Sequence, residues 1–180
     1  MSDTLKSESP PRDVTLLLRA WSHGDEAARE ALFPIVYGEL KTLARSLRRR
    51  HGVLGKRGPA TTTLVQEAAV RLLGAEFSAH DRHHFFALAA QAMRYVMVDA
   101  ARRRLAKKRA AEQEADEAGL EHVAIADPRA EEVLAIHQAL SKLRLLHPRY
   151  VQLVELRYFA GFTIEETAEV LAVSTPTVKR

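Results

Sequence analysis

Apolar residues recur at helical spacing from one end of the chain to the other, and no stretch of useful length alternates apolar and polar positions as a half-buried strand would. Val14 to Trp21 is apolar, and Asp25 to Leu32 reads as a second helix opened after Gly24, its two leading acids suited to the positive end of a helix dipole. Pro34 is expected to kink or restart that helix, which continues from Ile35 to Arg50 with Ile35, Val36, Leu40, Leu43 and Leu47 on one stripe. Three glycines and a proline break the pattern between His51 and Pro59. Leu64, Val65, Ala68, Ala69, Leu72 and Leu73 form one broad face of a helix that starts after the threonines. Gly74 to His84 is a second polar break. Phe86, Ala89, Ala90, Met93, Met97 and Ala100 then make a long stripe that runs straight into a basic cluster at Arg102. The predicted fold class is all-α.

The C-terminal part continues in the same way. Val133, Ile136, Leu140 and Leu143 mark a helix ended before Pro148, and Tyr150 to Phe159 another, closed by Gly161. Thr163 with Glu166 three positions on is a capping box that opens a short helix from Ile164 to Leu171. Ala172, Val173 and Ser174 fit a turn, and Thr175 followed by Pro176 reads as N-cap and first position of a last helix. Two short helices joined by a tight turn are the helix-turn-helix plan, whose second helix presents Thr175, Thr177, Lys179 and Arg180 to phosphates and base edges. A plain helical hairpin in a bundle core is the other reading. The reading helix is cut short at Arg180, after barely a turn and a half.

Charge divides the chain more sharply than hydrophobicity does. The 180 residues carry 27 Lys and Arg against 23 Asp and Glu, a net of only +4. Yet Lys41, Arg45, Arg48, Arg49, Arg50, Lys56 and Arg57 are met by no acid, and Arg94, Arg102, Arg103, Arg104, Lys107, Lys108 and Arg109 only by Asp99. An acidic stretch over 110–130, poor in large apolar residues, follows and reads as a flexible linker. This gives a tail at 1–12 without fixed structure, a helical domain at 13–109, the acidic linker, and a small helical domain at 131–180. Basic blocks attract phosphate backbones by Coulomb attraction and counterion release, so a polyanion is the first partner to consider, against solvated helix faces as the alternative.

The remaining composition mostly excludes. No cysteine means no disulfide framework and no thiolate metal site, and His80, His83 and His84 match no ligand spacing, so neither a metal nor another cofactor is expected. No apolar run is long enough to span a membrane, and the first residues lack the apolar core of a secretory signal, so a soluble cytoplasmic protein is expected. Glu165 and Glu166 are neighbours on a helix and do not face each other, a poor acid–base pair, so no catalytic residue is assigned.

LVQEAAVRLL at Leu64 to Leu73, FFALAAQAMRYVMVDAARRR at Phe85 to Arg104 and LRYFAGFTIEETAEVLAVSTPTVK at Leu156 to Lys179, in that order and with an acidic stretch before the last, resemble the extracytoplasmic-function (ECF) sigma factors, small sigma subunits of bacterial RNA polymerase in the sigma-70 family. The resemblance covers roughly Asp13 to the end. It implies an N-terminal domain, sigma region 2, that binds the beta-prime clamp of core polymerase and melts the minus-ten element, and a C-terminal helix-turn-helix, region 4, that reads the minus-thirty-five element. By the same resemblance Leu64, Val65, Gln66, Glu67 and Arg71 fall on the clamp-docking helix. Gly74 to His84 matches the loop that captures an extruded base, where Phe77, His83, His84 and the neighbouring Phe85 offer stacking groups, Phe85 and Phe86 reading more readily as core. Arg94, Tyr95, Arg102, Arg103 and Arg104 match the helix that tracks single-stranded DNA.

One place departs from the family pattern. Acids usually precede the LVQE segment, and here Pro59, Ala60, Thr61, Thr62 and Thr63 stand instead. A phosphothreonine carries about −1.5 to −2 charge and would restore what is missing. Phosphorylation of Thr61, Thr62 or Thr63 by a Ser/Thr kinase, in place of control by an anti-sigma factor, is one expectation, and a plain N-cap role for the threonines is the other. The competing function is a stand-alone helix-turn-helix regulator that binds DNA as a dimer.

Overall fold

The structure, a computed structural model, describes residues 13–50, 58–74, 81–118 and 127–179. Every regular element among them is helical: α1 Val14–Ser22, α2 Glu26–Arg50, α3 Thr61–Gly74, α4 Arg82–Glu117, α5 Pro128–Leu146, α6 Pro148–Val154 continuing as a π-helical stretch Glu155–Ala160, α7 Ile164–Val170 and α8 Thr175–Lys179. The expected tail 1–12 lies outside the described residues.

Side-chain caps fix several of the starts. The Asp13 carboxylate accepts from the Thr15 amide at 2.8 Å, that of Asp25 from Ala28 at 3.1 Å, and that of Asp127 from Ala130 at 3.2 Å. Gly24, at φ 93°, makes the turn between α1 and α2. Helix α2 runs through Pro34 without the restart expected from its sequence. Leu32, Val36, Leu40 and Leu47 are buried on both sides of the proline, so tertiary packing holds the register across one missing hydrogen bond. Ile35 is left outside the stripe and exposed.

Two boundaries move. The break expected over Gly74 to His84 is shorter at its far end, because Asp81 caps α4: its carboxylate accepts from the His84 amide at 2.8 Å and its carbonyl from Phe85 at 3.0 Å. His83 and His84 are therefore helical. The linker expected over 110–130 is helical through Glu117 and again from Pro128. Ala110, Ala111, Glu112, Gln113, Glu114 and Ala115 are strong helix formers, and Lys108–Glu112 at 3.5 Å and Gln113–Glu117 at 3.1 Å add pairs four residues apart. Acidity without large apolar groups marks a helix with no core face as readily as it marks a linker.

The core gathers Leu17 and Leu18 from α1, the α2 stripe, Leu64, Val65, Ala68 and Leu72 from α3, and Phe85, Ala89, Met93, Val96, Met97 and Ala101 from α4. Ala130, Val133 and Leu140 of α5, Val151 of α6 and Phe159 of the π-helical stretch join the same cluster. Helix α4 is thus the common wall on which both halves of the chain pack.

Candidate polymerase and nucleic-acid interfaces

Helix α4 changes character along its length. Up to Ala101 it is mostly buried; beyond that point Arg102, Arg103, Lys107 and Arg109 face solvent. Arg102 makes one loose pair with Asp99 at 3.5 Å. Arg104 is turned the other way and pairs with Asp127, the cap of α5, so of the expected Arg102–Arg103–Arg104 triplet only the first two belong to an open basic face. Lys107, one turn on from Arg103, extends that face, and periodicity could have found it.

Arg94, expected on the same DNA-tracking surface, is buried instead, and Tyr95 beside it is half-buried. The Arg94 side chain is 4% exposed and donates to a Glu155 carboxylate oxygen at 2.6 Å, which also accepts from Arg144 at 3.0 Å, while the Gln91 amide reaches the second oxygen at 3.2 Å. The guanidinium lies 4.6 Å from the Tyr95 ring centroid and 5.5 Å from that of Phe159, and its Nη1 is 3.1 Å from His137 Nδ1. Burial first, then the neighbouring cations Arg94, Arg102 and Arg144, hold the His137 pKa below its ordinary value against the weaker opposite pull of Asp99, so the neutral imidazole is favoured in this crowd of guanidiniums. Sequence spacing places Arg94 on α4 correctly but carries no signal that an acid 61 positions on would meet it.

His83 likewise faces the C-terminal half: Nδ1 is 3.5 Å from Glu169 on α7 and its ring meets Phe162 edge-on at 5.8 Å. His84 lines a groove of about 550 Å³ with Arg149, Gln152 and Leu171. Phe85 is fully buried against Phe86, 5.3 Å between centroids, and is core. Phe77 lies outside the described residues.

On α3, Leu64 and Val65 are core residues, correcting their reading as contact residues, because the apolar stripe that identified the helix is the face turned inward. Arg71 is spent on Asp99 at 2.5 Å and on the Ala92 carbonyl at 3.4 Å, tying α3 to α4. Gln66 is exposed and Glu67 half-buried. Val70 (68% exposed) and Leu73 stand beside them; Val70 sits next to the stripe, and Leu73, expected on the stripe itself, is exposed at the end of the helix. Helix α3 opens at Thr61, one turn earlier than expected, so the three threonines occupy its first turn and Ala60, whose carbonyl accepts from Leu64 at 2.9 Å, precedes it. That first turn holds no acid, and Arg48 of α2 donates to the Thr61 hydroxyl at 3.2 Å.

At the C-terminus the Thr163–Glu166 capping box forms, and Gly161 at φ 77° ends the preceding helix. Ala172 takes a left-handed φ of 50° in the turn between α7 and α8. The last helix begins at Thr175 rather than after it: the Ser174 carbonyl and hydroxyl accept from Thr177 at 2.9 and 3.4 Å, so Ser174 is the cap, a residue of the same chemistry one place earlier. Val178 packs inward while Thr177 and Lys179 face solvent and Thr175 is half-buried; Arg180 lies outside the described residues. Among the described residues no cluster of three or more His, Asp or Glu could hold a metal, and no helix is long and apolar enough to cross a membrane.

A family model for ECF sigma factors matches residues 11–180, from just before α1 to the last residue. The chain belongs to the ECF sigma factor family. Neither the search of curated proteins nor that of solved structures returned a match. As an ECF sigma factor the chain acts in transcription initiation with RNA polymerase and promoter DNA, and its all-helical elements and open basic face on α4 accord with that work. The alternative of a stand-alone regulator is not favoured, since the match embraces α1 to α4 as well as the helix-turn-helix.

Proposed function

We propose that residues 13–109 form the polymerase- and minus-ten-binding region of this sigma factor and residues 131–180 its minus-thirty-five-binding region, working in the cytoplasm and leaving all chemistry to the polymerase. The observation that carries the division of labour is α4, which supplies core on its first half and an open row of Arg102, Arg103 and Lys107 on its second. Tracking a phosphate backbone needs that row, and stacking partners for bases come from Tyr95 and the segment before α4. Thr175, Thr177 and Lys179 on α8 are the groups offered to the distal promoter element.

The clamp-binding face centres on Gln66 and Glu67 with Val70 and Leu73, since exposed apolar side chains beside polar ones are what a protein partner covers. Leu145, Leu146 and Tyr150, exposed where α5 meets α6, offer a second such patch. Val70→Asp is expected to weaken binding of core polymerase about tenfold or more by burying a charge in that contact, with the helical circular dichroism and Tm of the free protein unchanged. Fluorescence titration with purified core checks it, and unchanged affinity would move the docking surface elsewhere.

Control by phosphorylation has one supporting observation. Thr61, Thr62 and Thr63 occupy the acid-free first turn of α3 with the Arg48 guanidinium against Thr61, so a phosphate there would meet both the positive helix end and an arginine. In the same titration, glutamate at each threonine in turn is expected to raise affinity for core several-fold at one position at least. No gain at any of the three removes the kinase and leaves an anti-sigma partner as the route of control.

A further inference from the structure

We propose that the groove between α4 and α6 binds a small organic anion, a molecule with a flat apolar body and one carboxylate, sulfonate or phosphate whose charge meets Arg144 and Arg149.

Two helix faces make the groove. His84, Ala87, Leu88 and Gln91 recur at helical spacing on α4, and Arg149, Gln152 and Leu156 do so on α6 and its π-helical continuation, with Val170 and Leu171 of α7 adding to the lining. Ala87 keeps the α4 wall low. Packed helices ordinarily close such a gap with a larger apolar side chain, and protein interiors leave few spaces larger than a water molecule. The space here is about 550 Å³, within the range of about 300 to 1,000 Å³ in which small-molecule sites occur. Leu88, Val151 and Leu171 supply apolar surface against which water is poorly held, and a ring that displaces such water gains affinity.

Charge selects the ligand. Glu155 is the only acid among the described residues of the lining, and Arg94 and Arg144 both donate to its Oε1, at 2.6 and 3.0 Å, while the Gln91 amide reaches Oε2 at 3.2 Å. Its charge is thereby spent within the protein. Arg149 is exposed and pairs with no acid among the described residues, and Gln152, one turn on, is exposed as well. Two exposed guanidiniums beside a carboxylate that is already doubly paired leave positive potential next to apolar walls, a combination that suits an anion with an apolar body better than a cation, a sugar or a neutral hydrocarbon. A molecule seated there touches α4, α6 and α7 at once, so its binding and the packing of those helices favour each other.

The dye anilinonaphthalene sulfonate, an aromatic body with a single sulfonate, is the probe, titrated into the folded full-length chain and followed by its fluorescence. Saturable binding of one dye per chain is expected. Arg149→Glu, at an exposed position, is expected to weaken it at least about tenfold, and Gln152→Trp, which sets a large ring in the groove, by a similar factor, with the helical circular dichroism of both unchanged. Arg45→Glu, exposed on α2 and outside the groove lining, makes the same change in net charge and is expected to leave the affinity within about twofold. The uncharged analogue phenylnaphthylamine has the same rings without the sulfonate, and is expected to bind at least about tenfold more weakly than the dye and equally to the parent and Arg149→Glu proteins. An Arg149→Glu affinity within about twofold of the parent, an equal loss in Arg45→Glu, or equal binding of the charged and uncharged dyes would overturn the anion site.

Discussion

Replacing Arg102, Arg103 and Lys107 together by alanine is expected to lower the affinity of the sigma–polymerase complex for promoter DNA about a hundredfold at physiological salt. Each cation that leaves a phosphate contact forgoes the release of roughly one condensed counterion, worth about fivefold at that ionic strength, and the three side chains lie on one open face of α4. The dependence of log K on log salt should become shallower by about 2 to 3. Arg104→Ala serves as the contrast: its guanidinium is engaged by Asp127, so its loss should loosen the junction between α4 and α5 while leaving the salt slope nearly as it was. Filter binding or fluorescence anisotropy across a salt series reads both, and an unchanged slope in the triple variant would remove α4 from the DNA interface.

Phe85→Ala is expected to destabilise the protein by about 3 to 5 kcal/mol, a large part of the roughly 5 to 15 kcal/mol that holds a typical domain folded. Phe85 is fully buried where α4 meets the rest of the core, and nothing nearby can collapse into so large a cavity without moving α4. A fall in Tm of roughly 10 °C in a thermal melt is the expected reading. The outcome also decides between two roles the sequence left open, since a base-stacking Phe85 would lose promoter melting and keep its Tm.

What could be read in the chain before its structure follows from which interactions are local. Helix existence and type follow from periodicity, and the Thr163–Glu166 box, the Gly161 stop and the turn at Ala172 from caps whose partners are close in sequence. Errors entered where burial and distance decide. The family motif points to Leu64 and Val65 as partner contacts because a motif names residues without saying which way they face, and both face inward. The acidic stretch before Glu117 reads as linker because helix propensity without a core face looks like disorder, and it is the end of α4. The pairing of Arg94 with Glu155 is not legible, because Glu155 is far away in sequence and a basic side chain looks alike whether a phosphate or a carboxylate receives it. The open basic face is legible because solvated charge needs no distant partner, and Val70 is not, because an apolar residue beside the buried stripe of α3 gives no sign that it points out.

The central claim is that this chain confers promoter choice on RNA polymerase, and transcription from a promoter library by purified core with and without the chain tests it most directly. Transcripts that start at a defined subset of promoters only when the chain is present, with a shared element near minus ten, are the predicted result. A stable homodimer that binds palindromic duplex on its own, with core transcription unchanged by its addition, would contradict it.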